Sequence, residues 1–204
     1  MGVEVLTARL TRLAERTEDE VRIARSVDTL EQQFEVSKKV SGEPETLDAI
    51  EQLFGRVLAS YGRLSLLEGK RVLDVACGSR SSRSPSRVAG SSPGYTALFE
   101  PWFCRILSTL GADPVGVDIG DLNGESFEHY QVDVSRVGAL DFLPQHSFDA
   151  VHDSRLFGSP EFVTRFPHRR DALRIASEIV KQERRLLKDG GILIHSDALE
   201  LVGG

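Results

Sequence analysis

From Lys70 onward the sequence alternates short apolar runs with longer amphipathic stretches, and this alternation restricts the fold more than any other feature. "KRVLDVA" comes first, a short apolar run ended by a glycine turn, which reads as a strand buried on both faces. "LFEPWFCRILSTLG" then reads as a helix, with Pro101 suited to its first turn and Gly111 as its stop signal. "DPVGVDI" and "HYQVDV" are the second and third strands, and "SFDAVHDSRLF" contains a fourth around Ala150 and Val151. A long helix, "HRRDALRIASEIVKQERRLLKDGG", ends in Gly190 and Gly191 before a fifth strand, "ILIHSDA". Strands separated by helical stretches imply crossover connections and a mostly parallel sheet covered on both faces. The expected class is α/β, doubly wound, with five or more strands.

The residues before this region have a different texture. Leu6, Leu10, Leu13, Val21, Ile23, Val27, Leu30 and Phe34 recur at mostly helical spacing with charges between them. "SGEPET" breaks the pattern, and a second amphipathic helix carries Leu47, Ile50, Leu53, Phe54, Val57 and Leu58 up to Gly62. The chain therefore divides into a helical extension or cap over residues 1–65 and an α/β domain over 66–204. With 204 residues, 40% of them hydrophobic, it has enough apolar surface for one substantial core. A formal charge of −6 argues against a broad nucleic-acid footprint. No apolar run approaches the roughly 18–20 residues that span a bilayer, and the start lacks a signal-peptide core. Two cysteines, Cys77 and Cys104, are too few for a disulfide framework. The expectation is a soluble, cytoplasmic protein that binds neither membrane nor DNA.

Five pieces of the α/β region, in order, resemble the class I S-adenosylmethionine-dependent methyltransferases over about Lys70 to Ala198. "VLDVACGS" is similar to their first motif, an acidic residue followed by a glycine-rich turn. "GVDI" resembles the second strand with its terminal acid, "QVDV" the third, "SFDAVHD" the fourth, and "ERRLLKDGGILI" the helix and turn leading into the fifth. The resemblance implies a Rossmann-like fold, S-adenosylmethionine as cofactor, and methyl transfer to an acceptor, here expected to be a small molecule.

Physical chemistry explains why such residues suit a cofactor site. In an open parallel sheet, ligands bind beyond the carboxyl ends of the strands, where the strand order reverses. A turn of small residues there, Ala76 and Gly78 in this chain, lets backbone approach a ligand closely. A carboxylate closing the second strand can accept both hydroxyls of a ribose, and Asp118 has that position. The resemblance gives Asp118 the same role. It implies that Asp74 helps to hold the amino end of the methionine moiety, that Asp133 faces the adenine amino group, and that Ile119 packs on the ring. At the end of the fourth strand it points to "HDSRLF", where His152 would serve as a base near neutral pH and Asp153 would orient it or bind the acceptor. Asp149, by contrast, reads as a packing or capping residue at the strand start, and His195 on the fifth strand as a satisfied core histidine.

Two departures from the family pattern stand out. Its three alternating glycines fall here at Ala76, Gly78 and Arg80, so the backbone path beyond Ser79 must differ. Asp74 and Asp118 are 44 positions apart (118 − 74), where a ribose-binding acid ordinarily lies about 20 residues past the turn. The surplus is a Ser/Arg-rich insertion over residues 80–95, read as a lid or a solvated loop. The family's terminal hairpin after the fifth strand has no counterpart before Gly204. Either the domain is a minimal version of the fold, or another element, such as the N-terminal helices or a second copy of the chain, covers that edge.

Other chemistries find no support in the sequence. His129, His146 and His168 are scattered without metal-ligand spacing, so no metal site is expected. There is no G-x-S-x-G elbow and no G-x-x-x-x-G-K-[ST] loop. The N-P-P-aromatic signature of amino-methylating DNA enzymes is absent too. Two rival readings remain: a non-catalytic binding module that keeps the fold, which Arg80 and the short C-terminus favour, and a nicotinamide-dependent oxidoreductase.

Overall fold

The computed structural model describes residues 2–81, 83–84, 94–153 and 156–195. Most of the insertion, Ser154 and Arg155, and the C-terminal residues that bear on the sheet edge lie outside the described residues. Four helices open the chain: α1 (Val3–Thr11), α2 (Thr17–Phe34), α3 (Val36–Gly42) and α4 (Glu45–Tyr61). Then come β1 (Arg71–Val75), the short β2 (Arg83–Ser84) and β3 (Gly94–Tyr95), and α5 (Trp102–Thr109). The chain continues through β4 (Asp113–Asp118), β5 (Glu128–Gln131), β6 (Phe148–Asp153), α6 (Pro160–Arg165), α7 (Arg169–Leu186) and β7 (Leu187–His195).

Five strands form one sheet in the order β5-β4-β1-β6-β7, every pairing parallel. Counted along the chain this order is 3-2-1-4-5, the doubly wound, Rossmann-like arrangement that the resemblance to class I methyltransferases implied. Its switch point lies between β1 and β6, and both neighbours of β1 are in place: Leu73 registers with Val115 on one side and Val151 on the other. A strand so enclosed must be apolar on both faces. Val72 belongs to the cluster beneath the N-terminal helices, and Leu73 and Val75 to the cluster beneath α7.

The N-terminal helices are a structural layer of the sheet. Leu6, Leu10, Ile23, Val27, Ile50 and Phe54 share one buried cluster with Ile106 of α5, Val72 of β1, Ala150 of β6 and Ile194 of β7. Each such side chain contributes roughly 1.5–3 kcal/mol of burial, so helices α1 to α4 are held firmly against the face. Polar contacts fix the join. Asp19, in the first turn of α2, is buried and accepts the Leu64 N–H at 2.9 Å. Gly62 ends α4 in the left-handed conformation, as its position in the sequence suggested. The spacing up to Phe34 is divided between two helices, and Val21 is 45% exposed rather than part of the buried stripe.

Three local features differ from the sequence expectation or add to it. The glycine pair near 190 does not simply stop the preceding helix. Helix α7 ends at Leu186, and the pair lies inside an irregular β7, whose register shifts between Phe148↔Leu187 and Ala150↔Ile192. There Asp149 accepts Lys188 at 2.8 Å, Lys70 at 3.2 Å and the Arg71 N–H at 3.0 Å, which confirms its capping role. Helix α6 was not anticipated, although Ser159 caps it and Pro160 opens its first turn. The ends of the insertion pair in antiparallel fashion, Arg83 with Tyr95 and Ser84 with Gly94. Among the described residues no helix is long and apolar enough to cross a membrane.

Candidate functional site

The turn that follows β1 is strained in a way that positions ligand-facing backbone. Ala76 has φ 57° and Gly78 φ 89°, both in the left-handed region that side chains disfavour. A Cβ on Gly78 would lie 2.1 Å from the Phe99 carbonyl oxygen, so this position demands glycine for packing as well as for conformation. The Ser79 N–H donates to the same carbonyl at 3.0 Å. Beside the turn is a cavity of about 70 Å³, bordered by Asp74, Ala76, Cys77 and Gly78, by Gln52 and Arg56 of α4, and by Phe99 and Phe103.

Asp118 ends β4 next to this turn. One carboxylate oxygen accepts the Gly78 N–H at 2.9 Å and the other the Gly120 N–H at 2.7 Å. Burial pushes its carboxyl pKa up, against these two amide bonds, which favour the charged form. A Cβ on Gly120 would meet the Ser79 hydroxyl at 2.1 Å, and Ser81 Oγ accepts the Asp121 N–H at 3.1 Å. The turns after β1 and β4 are therefore latched together by Asp118 and the two serines. Ile119 is 58% exposed. Asp133 lies two residues beyond β5, where it accepts the Ser135 hydroxyl at 2.6 Å and Arg165 of α6 at 2.8 Å. Burial works against its charge, yet Ser135 and Arg165 hold its carboxyl below the usual range.

His152 and Asp153 correct the expected acid–base pair. Neighbours along a strand face opposite sides of a sheet, so Asp153 does not orient His152. Asp74 does. His152 is fully buried, with Nδ1 2.8 Å from Asp74 Oδ1, and its ring centroid lies 3.9 Å from that of Phe103. With Nδ1–H donating to the carboxylate, Nε2 faces Arg56 Nη1 at 3.5 Å, and Arg56 borders the cavity. Asp74 thus borders the cavity with one oxygen already committed, while Cys104 Sγ approaches its other oxygen at 3.7 Å. Asp153 instead meets His195, Oδ2 to Nδ1 at 2.7 Å. The His195 side chain is 39% exposed, which overturns the reading of it as a core histidine. Cys77 behaves as a packing residue, its thiol pushed up to about 11 by burial.

Arg80, the residue in the place of the third glycine, has a definite partner. Its Nε lies 2.9 Å from Glu125, which also binds Arg105 through two contacts at 2.7 and 3.1 Å. Arg105 further donates to Glu100, which Lys39 of α3 also reaches. The Arg105 guanidinium lies 4.1 Å from the Phe34 ring centroid and 4.8 Å from that of Trp102, two rings set edge to face. This buried network anchors the altered turn to α5 and the N-terminal helices. A sequence signal for it existed: Arg105 falls between Cys104 and Ile106, in a stretch of α5 that is buried on every side.

The residue types around the turn suit the amino-acid end of a nucleoside cofactor, but the space does not suit the whole of one. Small-molecule sites ordinarily occupy about 300–1,000 Å³, against about 70 Å³ here. In this conformation the residues do not accommodate the cofactor, and no catalytic step is assigned to His152 or Asp153.

No family model and no curated protein matches the chain. Among solved structures it is similar to a CurJ carbon methyltransferase, at 12% identity with a TM-score of 0.44, over 94% of this chain and 47% of the other. It is also similar to the trans-methyltransferase CalH in complex with SAH, at 16% identity with a TM-score of 0.39, over 98% of this chain and 55% of the other. The chain thus spans about half the length of each.

Proposed function

We propose that this chain is an S-adenosylmethionine-dependent methyltransferase acting on a small-molecule acceptor, with α4 covering the site. The observation that carries this reading is the strained small-residue turn after β1, which lies beside the switch point of a 3-2-1-4-5 parallel sheet and is bonded to the acid that ends the second strand. That is where an open α/β sheet binds a nucleoside. The cofactor would supply an electrophilic methyl group for in-line transfer, leaving the protein to bind and orient.

A second reading, a non-catalytic module that keeps the fold, is favoured by a specific observation. Both oxygens of Asp118 are already engaged by backbone amides, and the cavity is small. Calorimetric titration with S-adenosylmethionine, S-adenosylhomocysteine and NAD separates the possibilities. The methyltransferase reading requires binding of both sulfur compounds and at least a tenfold loss in Asp118→Ala. Binding of neither would refute it, and tight NAD binding would favour a nicotinamide-dependent oxidoreductase instead. Unchanged affinity in Asp118→Ala would refute the site assignment while leaving the family reading in place. A screen of metabolite pools for methyl transfer then separates enzyme from module.

A further inference from the structure

Helix α7 packs against the sheet through Ile175, Ala176, Ile179, Val180 and Leu186, and Glu183 occupies a position in the same buried stripe. Its side chain has no exposed surface, and neither carboxylate oxygen has a hydrogen-bond partner among the described residues. A buried carboxyl group with neither oxygen hydrogen-bonded is costly to a core, and an ion or other ligand is one way to satisfy it. Two other metal-binding side chains come to the same place from different strands. Asp153 ends β6, His195 ends β7, and one ligand atom from each of the three residues lies within 4.8 Å of the others.

We propose that Asp153, Glu183 and His195 form a binding site for a divalent first-row transition cation, held by two carboxylates and one imidazole. Metal–oxygen and metal–nitrogen bonds of about 2.0–2.2 Å put donor atoms roughly 3–4 Å apart, so side-chain shifts of about 1 Å complete the site. Two hard oxygens and one imidazole suit Zn²⁺ or Mn²⁺. They do not suit Cu⁺, which prefers sulfur, or Ca²⁺, which takes six to eight oxygens. The partly exposed His195 supplies an entry path from solvent. A bound cation would tie α7 to the ends of β6 and β7, and β7 is the outermost strand of the described sheet.

The site stands apart from the proposed methyl-transfer site, since Asp153 faces the α7 side of the sheet and His152 the side of α4 and α5. The chain holds a second cluster of potential ligands, Asp74, Cys77 and Cys104, but it is wholly buried and burial raises both thiol pKa values. That cluster lacks a ready thiolate.

The test uses the full chain, freed of metal with a chelator and titrated separately with Zn²⁺, Mn²⁺ and Co²⁺ by calorimetry and thermal denaturation. One cation should bind per chain and raise the melting temperature by several degrees. Glu183→Gln removes the charge while keeping the shape, so it should fold at least as stably as the metal-free protein yet lose affinity about 100-fold. His195→Ala, at the surface, should lose at least tenfold, and it keeps the test decisive if the Glu183 variant fails to fold. Co²⁺ should give visible ligand-field bands without a thiolate charge-transfer band. No binding, unchanged affinity in His195→Ala, or a thiolate band assigning the metal to Cys77 and Cys104 would each overturn the proposal.

Discussion

Replacing Arg105 by Met removes the cation at the centre of the buried network and leaves a side chain of similar length in its place. Two carboxylates, Glu100 at 3% exposure and Glu125 at 8%, then lose their principal partner. Breaking a buried ion pair by removing one member costs about 3–5 kcal/mol, because the remaining charge is left in low dielectric. Here each carboxylate keeps a second cation, Lys39 for Glu100 and Arg80 for Glu125, and both of those cations have access to water. The lower part of the range therefore applies, about 3–4 kcal/mol, and it includes the loss of guanidinium packing against Phe34 and Trp102. For a chain of this size roughly 2–4 °C accompanies each kcal/mol, so the melting temperature should fall by about 6–16 °C. Urea denaturation with an unchanged slope would show that native stability, rather than the compactness of either state, has altered. The mechanism makes a sharper demand. Adding Glu100→Gln and Glu125→Gln to Arg105→Met should recover at least half of the loss, since the stranded charges are then gone. A single variant within 1 kcal/mol of wild type, or a triple variant no more stable than the single, would refute the reasoning.

Two further substitutions probe the turn and the helical layer. Gly78→Ala sets a Cβ against the Phe99 carbonyl and forces alanine to φ 89°, so it should cost about 3 kcal/mol or more. Gly62→Ala meets open space at φ 71° and should cost only about 1–2 kcal/mol; equal losses in the two variants by urea denaturation would dispose of the packing argument. Tyr61→Phe removes a buried hydroxyl that has no hydrogen-bond partner among the described residues and whose pKa is pushed up to about 12 by burial and by Asp149. It should raise stability by about 1 kcal/mol, and calorimetric melting that showed a loss instead would mean that the hydroxyl has a partner in solution.

The alternation from Lys70 onward was enough to read all five strands of the sheet, because burial on both faces leaves an almost continuous apolar signature in β1, β4 and β6. Side-chain pairing across the fold was far less legible. Whether Asp118 turns to its own turn amides or to open solvent depends on how Ser79 and Gly120 approach, a contact between residues 41 positions apart (120 − 79) that no local pattern encodes. The partner of Arg80 is likewise Glu125, in a loop beyond β4. One misreading, however, was avoidable from sequence alone. Strand period excludes Asp153 as the residue orienting His152, because consecutive positions point to opposite faces. The same rule frees Asp153 to meet α7, where a helical wheel places Glu183 within the stripe of Ile175, Ile179 and Leu186. Charged residues on an apolar stripe, Arg105 in α5 and Glu183 in α7, are local violations of pattern, and local violations are where compensation or function is to be sought. The structure compensates one of them with Glu100 and Glu125. Among the described residues it supplies the other with no hydrogen-bond partner, which is why the three-residue cluster at Glu183 is the place to look for an ion.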